Sequence, residues 1–114
     1  MYKNKKIYLA IPYSGLPNKS FKVSNKVAGD LIDKGHYVFS PITHSHPIWL
    51  AHNKKHNHKV WMRQDRAFVK WADWLYVVVI GKDGMKLIQK SKGVQKEIQW
   101  AQESGKKIKY IYYD

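Results

Sequence analysis

"WLYVVVI", residues 74–80, is the longest apolar run in the chain. Its length and its β-branched and aromatic content are those of a strand, far short of the ~20 residues a membrane span requires. A run with no polar alternation is a strand covered on both faces, the situation of a strand inside a parallel sheet. What flanks it decides the fold. Downstream, "SKGVQKEIQWAQESGKK" (91–107) places Val94, Ile98 and Ala101 at i, i+4 and i+7, the inward stripe of a helix that Gly105 ends. "KKIKYIYY" (106–113) then reads as a final strand.

Upstream the pattern repeats. Val60 to Trp71 reads as a helix, and "HYVFS" (36–40) as a short strand closed by Pro41. An earlier helix has Ser20 as its expected cap; Phe21, Val27, Ala28, Leu31 and Ile32 share its apolar face, and Gly35 ends it. "KKIYLAI" (5–11) supplies the first strand and stops at Pro12. Between Pro41 and His58 the chain is polar and rich in histidine, and is expected to be a long loop. The order β-α-β-α-β-α-β requires crossover connections, so the expected fold is a three-layer α-β-α domain. It is an α/β, flavodoxin- or Rossmann-like architecture with a four- or five-stranded parallel sheet, in one domain spanning residues 1–114.

Composition narrows the function classes. The chain has no cysteine, which excludes disulfides and thiolate chemistry and fits a cytoplasmic setting. Its start carries too short an apolar run for a signal peptide, and no membrane partner is expected. The formal charge of +13 arises from 21 Lys and Arg against eight acids. It suits an anionic ligand, nucleic acid included, but a lysine-biased genome would give the same count. No Walker loop is present, and no Gly-x-Gly-x-x-Gly follows the first strand, so neither an NTPase nor a dinucleotide cofactor is expected.

In open parallel sheets ligands bind beyond the carboxyl ends of the strands. That rule selects Ile11–Lys19, Pro41–Lys59, Gly81–Lys90 and the start of the last helix. There Ser91 is placed to cap the helix, Gly93 leaves room for a ligand, and free N–H groups offer a site for an anion. Glu97 borders the inward stripe of this helix. Asp65 likewise shares a helix face with Trp61 and Phe68 by i, i+4, i+7 spacing. Two readings stay open on spacing alone: solvated acids on capped amphipathic helices, with Asp65 paired to Arg63 or Arg66, or two half-buried carboxylates equipped for acid–base or nucleophilic work on a glycosidic bond.

The order "KIYLAIPYS", then Asp65 eight residues before Asp73 and an apolar strand, then "SKGVQKE" and "AQESGKKIKYI", resembles the nucleoside 2-deoxyribosyltransferase superfamily. It looks most like the branch of 2′-deoxynucleoside 5′-phosphate N-hydrolases and related small phage and bacterial proteins with a "SPITHSHP"-type loop. The resemblance implies that Glu97 is a nucleophile attacking C1′ of the sugar. It implies that Asp65 handles the leaving base and that Tyr8 orients Glu97 by a hydrogen bond. Ser91, where transferases of free nucleosides carry aspartate, would bind a 5′-phosphate, with Gly93 beside it. A homodimer or larger homo-oligomer is also implied, because a neighbouring subunit completes the site in that family.

Other expected substrate contacts are Tyr13 and Ser14 in the first loop, His44 or His46 from the histidine-rich segment acting as a lid, and Trp61 as a stacking surface. His44, His46, His52, His56 and His58 crowd this segment, yet no cysteine or well-spaced carboxylate completes a ligand set, so no metal is expected. The expected activity is hydrolysis of the base–sugar bond of a (deoxy)nucleoside 5′-monophosphate through a glutamate nucleophile, without a cofactor. Burial is expected to separate the pKa values of the two carboxylates, with the helix N-terminus keeping Glu97 ionised. The alternatives are a nucleoside deoxyribosyltransferase and a non-catalytic module that binds nucleotides or nucleic acid.

Overall fold

The computed structural model describes residues 4–13, 17–52 and 58–113. Its elements run β1 (Lys6–Ala10), α1 (Pro17–Asp33), β2 (Tyr37–Phe39), α2 (Pro41–Ala51), α3 (His58–Trp71), β3 (Trp74–Ile80), α4 (Gly84–Lys90), α5 (Lys92–Glu103) and β4 (Lys107–Tyr113). The sheet has four strands, all parallel, in the order β2-β1-β3-β4. The α/β reading therefore holds, with four strands.

Alternation along the strands sorts the core into two layers. Tyr8 and Ala10 of β1, with Leu75, Val77 and Val79 of β3, face Val69 of α3, Ile88 of α4, and Val94, Ile98 and Ala101 of α5. Ile7 and Leu9, with Tyr76, Val78 and Ile80, face Val23, Val27, Ala28 and Leu31 of α1 and Ile42 of α2. β3 is buried on both sides, as its unbroken apolar run requires. The register sets Tyr8 opposite Leu75 and Ala10 opposite Val77, which turns Tyr8 toward the α3–α5 layer.

Helix ends follow local chemistry. Gly35 and Gly105 hold φ of 91° and 68°, a left-handed backbone that closes α1 and α5. Asp73, between α3 and β3, accepts a hydrogen bond from the Lys6 amide at 3.2 Å and so ties that turn to β1.

Three sequence readings are corrected. The histidine-rich segment is not a loop throughout: Pro41–Ala51 is a helix, because Ser40 caps it through Thr43 N and Pro41 stands where a missing N–H costs nothing. Residues 84–90, to which the sequence pattern gave no helix or strand, form the short α4. Ser20 is not a cap, since α1 begins at Pro17; it is fully buried, and its hydroxyl donates to the Pro12 carbonyl. Among the described residues no helix is long and apolar enough to cross a membrane.

Candidate active site

The sheet order reverses direction between β1 and β3, and the crevice at such a switch point is where this architecture holds ligands. A cavity of about 630 Å³ lies there, within the range of small-molecule sites. β1 leads into it with Ile11 and Tyr13, α2 contributes Ile42, Ser45, His46 and Trp49, and α3 contributes Trp61, Met62 and Asp65. The α4–α5 junction supplies Lys90, Ser91, Lys92, Gly93 and Val94, and α5 adds Glu97.

Glu97 does more than border the stripe. It is 7% exposed, and the Tyr8 hydroxyl, itself fully buried, donates to its Oε2. Burial pushes the Glu97 carboxyl up to about 8; the hydrogen bond from Tyr8 pulls it down, and the charge of Asp65 pushes it up again. Burial also raises Asp65, to about 7. Tyr8 is held well above the usual phenol range, first by burial and then by the charges of Glu97 and Asp65.

The helix terminus was expected to keep Glu97 ionised, whereas burial pushes its carboxyl up. Glu97 is the sixth residue of α5, beyond the first turn where the dipole acts, so desolvation prevails. One Asp65 oxygen, Oδ1, is buried without a hydrogen-bond partner among the described residues. A buried acceptor in that state, on a residue lining the cavity, is open to a hydrogen-bond donor.

At the start of α5 Ser91 is the cap, its Oγ accepting from Val94 N at 3.2 Å. Its hydroxyl hydrogen is left to donate elsewhere, and Lys90 and Lys92 flank it on the cavity wall. A Cβ on Gly93 would meet open space, so the backbone there lies bare to the cavity. Tyr13 contacts His46 through Oη and Nδ1 at 2.5 Å, joining the end of β1 to α2 across the mouth. Phe21 and Trp49 pack on the same imidazole, at 4.8 and 6.2 Å between ring centroids.

The structure thus brings together Tyr8, Tyr13, His46, Trp61, Asp65, Ser91, Gly93 and Glu97. His44 lies apart from the lining: it is exposed and packs on Phe39, 5.3 Å between centroids. Ser14, His56 and the side chain of His58 lie outside the described residues. Trp49, which the sequence offered beside Trp61 as a stacking surface, lines the cavity as well, whereas Lys90, Lys92 and Met62 were not read as site residues. The lysines reach the lining only through the α4–α5 junction.

A family model described as "Domain of unknown function (DUF1937)" matches residues 5–113. No curated protein sequence matches the chain. Among solved structures, a 2-deoxyribosyltransferase from Bacillus psychrosaccharolyticus aligns with a TM-score of 0.64 and 22% identity, over 94% of this chain and 72% of its own. A second, described as a 2-desoxiribosyltransferase from Leishmania mexicana, aligns with a TM-score of 0.64 and 18% identity, over 96% of this chain and 65% of its own. The chain has the fold of these enzymes.

Proposed function

Since the chain belongs to the DUF1937 family, whose description assigns no chemistry, we propose a function from the site itself: cleavage of the N-glycosidic bond of a (deoxy)nucleoside 5′-monophosphate. The observation that carries this reading is the buried Tyr8–Glu97 hydrogen bond at the floor of a cavity that also holds Asp65. Ionised Glu97 attacks C1′, forming a glycosyl ester as the C1′–N bond breaks. Protonated Asp65 gives its proton to the departing base. Water then attacks the ester, Asp65 takes a proton from it, and free base and sugar 5-phosphate leave with Glu97 restored. Tyr8 orients the nucleophile and is a positioning residue.

The phosphate assignment is supported by the hydroxyl of Ser91 and the cations of Lys90 and Lys92 on one cavity wall. Trp49, Trp61 and Tyr13, also in the lining, supply aromatic surface for the base. His46, in contact with Tyr13, holds α2 over that end as a cover.

A second reading, transfer of the deoxyribosyl group to another base, is favoured by the aligned structures, both described as 2-deoxyribosyltransferases. The two differ in whether water or a base resolves the ester. Self-association belongs to both readings and is measured by sedimentation. The test is incubation with a panel of ribo- and deoxyribonucleosides and their 5′-monophosphates, with and without a second base, followed by chromatography. Base release from a monophosphate without acceptor, lost in Glu97→Gln, is the expected result. Product only with an acceptor base selects transfer, and no product under any condition overturns both.

A further inference from the structure

The chain has 21 basic residues but only two arginines, Arg63 and Arg66, and both stand on α3. A lysine-rich composition accounts for scattered lysines and leaves this placement unexplained. With Lys59 and Lys70 the arginines follow i, i+4, i+7, i+11, so four exposed cations form one ridge about 16 Å long. Beside it a second cavity, of about 550 Å³, is lined by Met62, Arg63, Arg66, Ala67, Lys70 and Trp100. Arg66 lies over the Trp100 ring at 5.9 Å, which fixes the guanidinium at the groove wall.

Helix stability accounts for Lys70, in the last turn of α3, but not for the rest of the ridge. Lys59 sits in the first turn of α3, which contains no acid, where the helix dipole disfavours a cation. A solvated helix face ordinarily mixes signs, yet among the described residues the only ion pair joins Lys26 to Asp30, on α1. Arginine is the cation suited to phosphate, being weakly hydrated and presenting a planar fork of donors. The groove also adjoins the first cavity, Met62 lining both.

We propose that the α3 ridge and its groove bind the phosphate backbone of single-stranded nucleic acid. Charge complementarity sets the partner class. The strand form follows from the neighbouring cavity, whose Trp61 and Trp49 can take an unstacked base, whereas duplex bases are out of reach. This surface stands whether or not the glycosidic reading does, because none of its four cations belongs to the proposed catalytic machinery.

The experiment measures binding of a fluorescein-labelled DNA strand of about 20 nucleotides by anisotropy across a salt series. Arg63→Glu/Arg66→Glu is compared with Lys22→Glu/Lys34→Glu, an equal charge change at exposed lysines in and just after α1, across the sheet. Circular dichroism melts monitor folding. Because Arg66 packs on Trp100, Lys59→Glu/Lys70→Glu serves as a second ridge variant. Both ridge variants are expected to weaken binding about tenfold or more and to flatten the log–log salt slope by roughly 1.4, about 0.7 for each phosphate no longer neutralised. The α1 variant should stay within about twofold of the parent. Equal losses in all variants would show diffuse charge and overturn the assignment, as would no binding. Equal or tighter binding of duplex of the same length, or ridge-dependent binding only to phosphatidylserine vesicles, also overturns it.

Discussion

The Tyr8 hydroxyl donates to Glu97 across 89 positions of sequence, from a central strand to the helix on its flank. This one contact opposes the burial that keeps Glu97 protonated. Catalysis as proposed needs Glu97 ionised and Asp65 protonated. Below about 7 both acids hold their protons and there is no nucleophile; above about 8 both have lost them and there is no acid. Between these values Asp65 is the first to ionise, so the productive form, with the proton on Asp65 and the charge on Glu97, is the minor one of the singly protonated pair. A kcat/KM profile with its maximum between about 7 and 8, falling on both sides, is therefore expected. Tyr8→Phe removes a contact that lowers the Glu97 pKa, so the maximum should move to higher pH, with kcat down roughly 10- to 100-fold. A fall in kcat without movement of the profile would reduce Tyr8 to a packing role.

Glu97 also makes stability depend on pH. Its folded pKa of about 8 exceeds the ordinary 4.5, so between these values the folded chain holds a proton that the unfolded chain has lost. The contribution is fully present below the ordinary value and is lost as pH rises through about 8. Wild type should thus lose several degrees of Tm between pH 5 and pH 8.5, and Glu97→Gln markedly fewer. Activity of the same variant should fall by at least about a thousandfold. Parallel Tm curves for the two proteins would contradict the buried carboxyl.

Ser91 serves two ends that substitutions can separate. Ser91→Ala removes the cap on α5 and should cost about 1 kcal/mol, read as a lower Tm. Ser91→Asp keeps a good cap, and its charge favours the helix start, so Tm should hold. Yet a carboxylate there repels a phosphate, and KM for a monophosphate should rise about tenfold or more relative to the free nucleoside. Unchanged preference in Ser91→Asp would remove phosphate from that wall.

Two glycines should respond in opposite ways to a methyl group. At Gly84 a Cβ would lie 2.5 Å from Val79 Cγ1, where α4 meets the end of β3, so Gly84→Ala should destabilise by about 1–3 kcal/mol. At Gly93 the same methyl meets nothing, so Gly93→Ala should leave Tm unchanged or slightly raised while weakening substrate binding. Thermal melts beside KM measurements distinguish them.

The sheet was legible because β3 carries an uninterrupted apolar run and the strands around it alternate with helical spacing. Glu97 and Asp65 could be placed near burial for the same reason: their positions relative to Val94, Ala101, Trp61 and Phe68 follow from helix geometry alone. α2 escaped because Pro47 and three polar residues, Thr43, His44 and Ser45, blur its apolar stripe, although Ser40–Pro41 was a readable start signal. The raised pKa of Glu97 also escaped, because desolvation depends on what closes over a carboxyl, and Tyr8 comes from the far end of the chain. Lys90 and Lys92 meet the cavity only because α4 stops at Lys90 and α5 starts two residues later, a junction with no periodic signature.

Of the four strands β1 is made first, yet it sits inside the sheet, between β2 and β3. Its second edge stays bare until residues 74–80 have been synthesised, and neither core layer can close before then. During that interval the helices already made have only half a sheet to cover. The seven residues that unite the two layers are also, while unpaired, the part of the chain most prone to join another copy's strand edge. Docking of β3 against β1 is the step that lets both layers close.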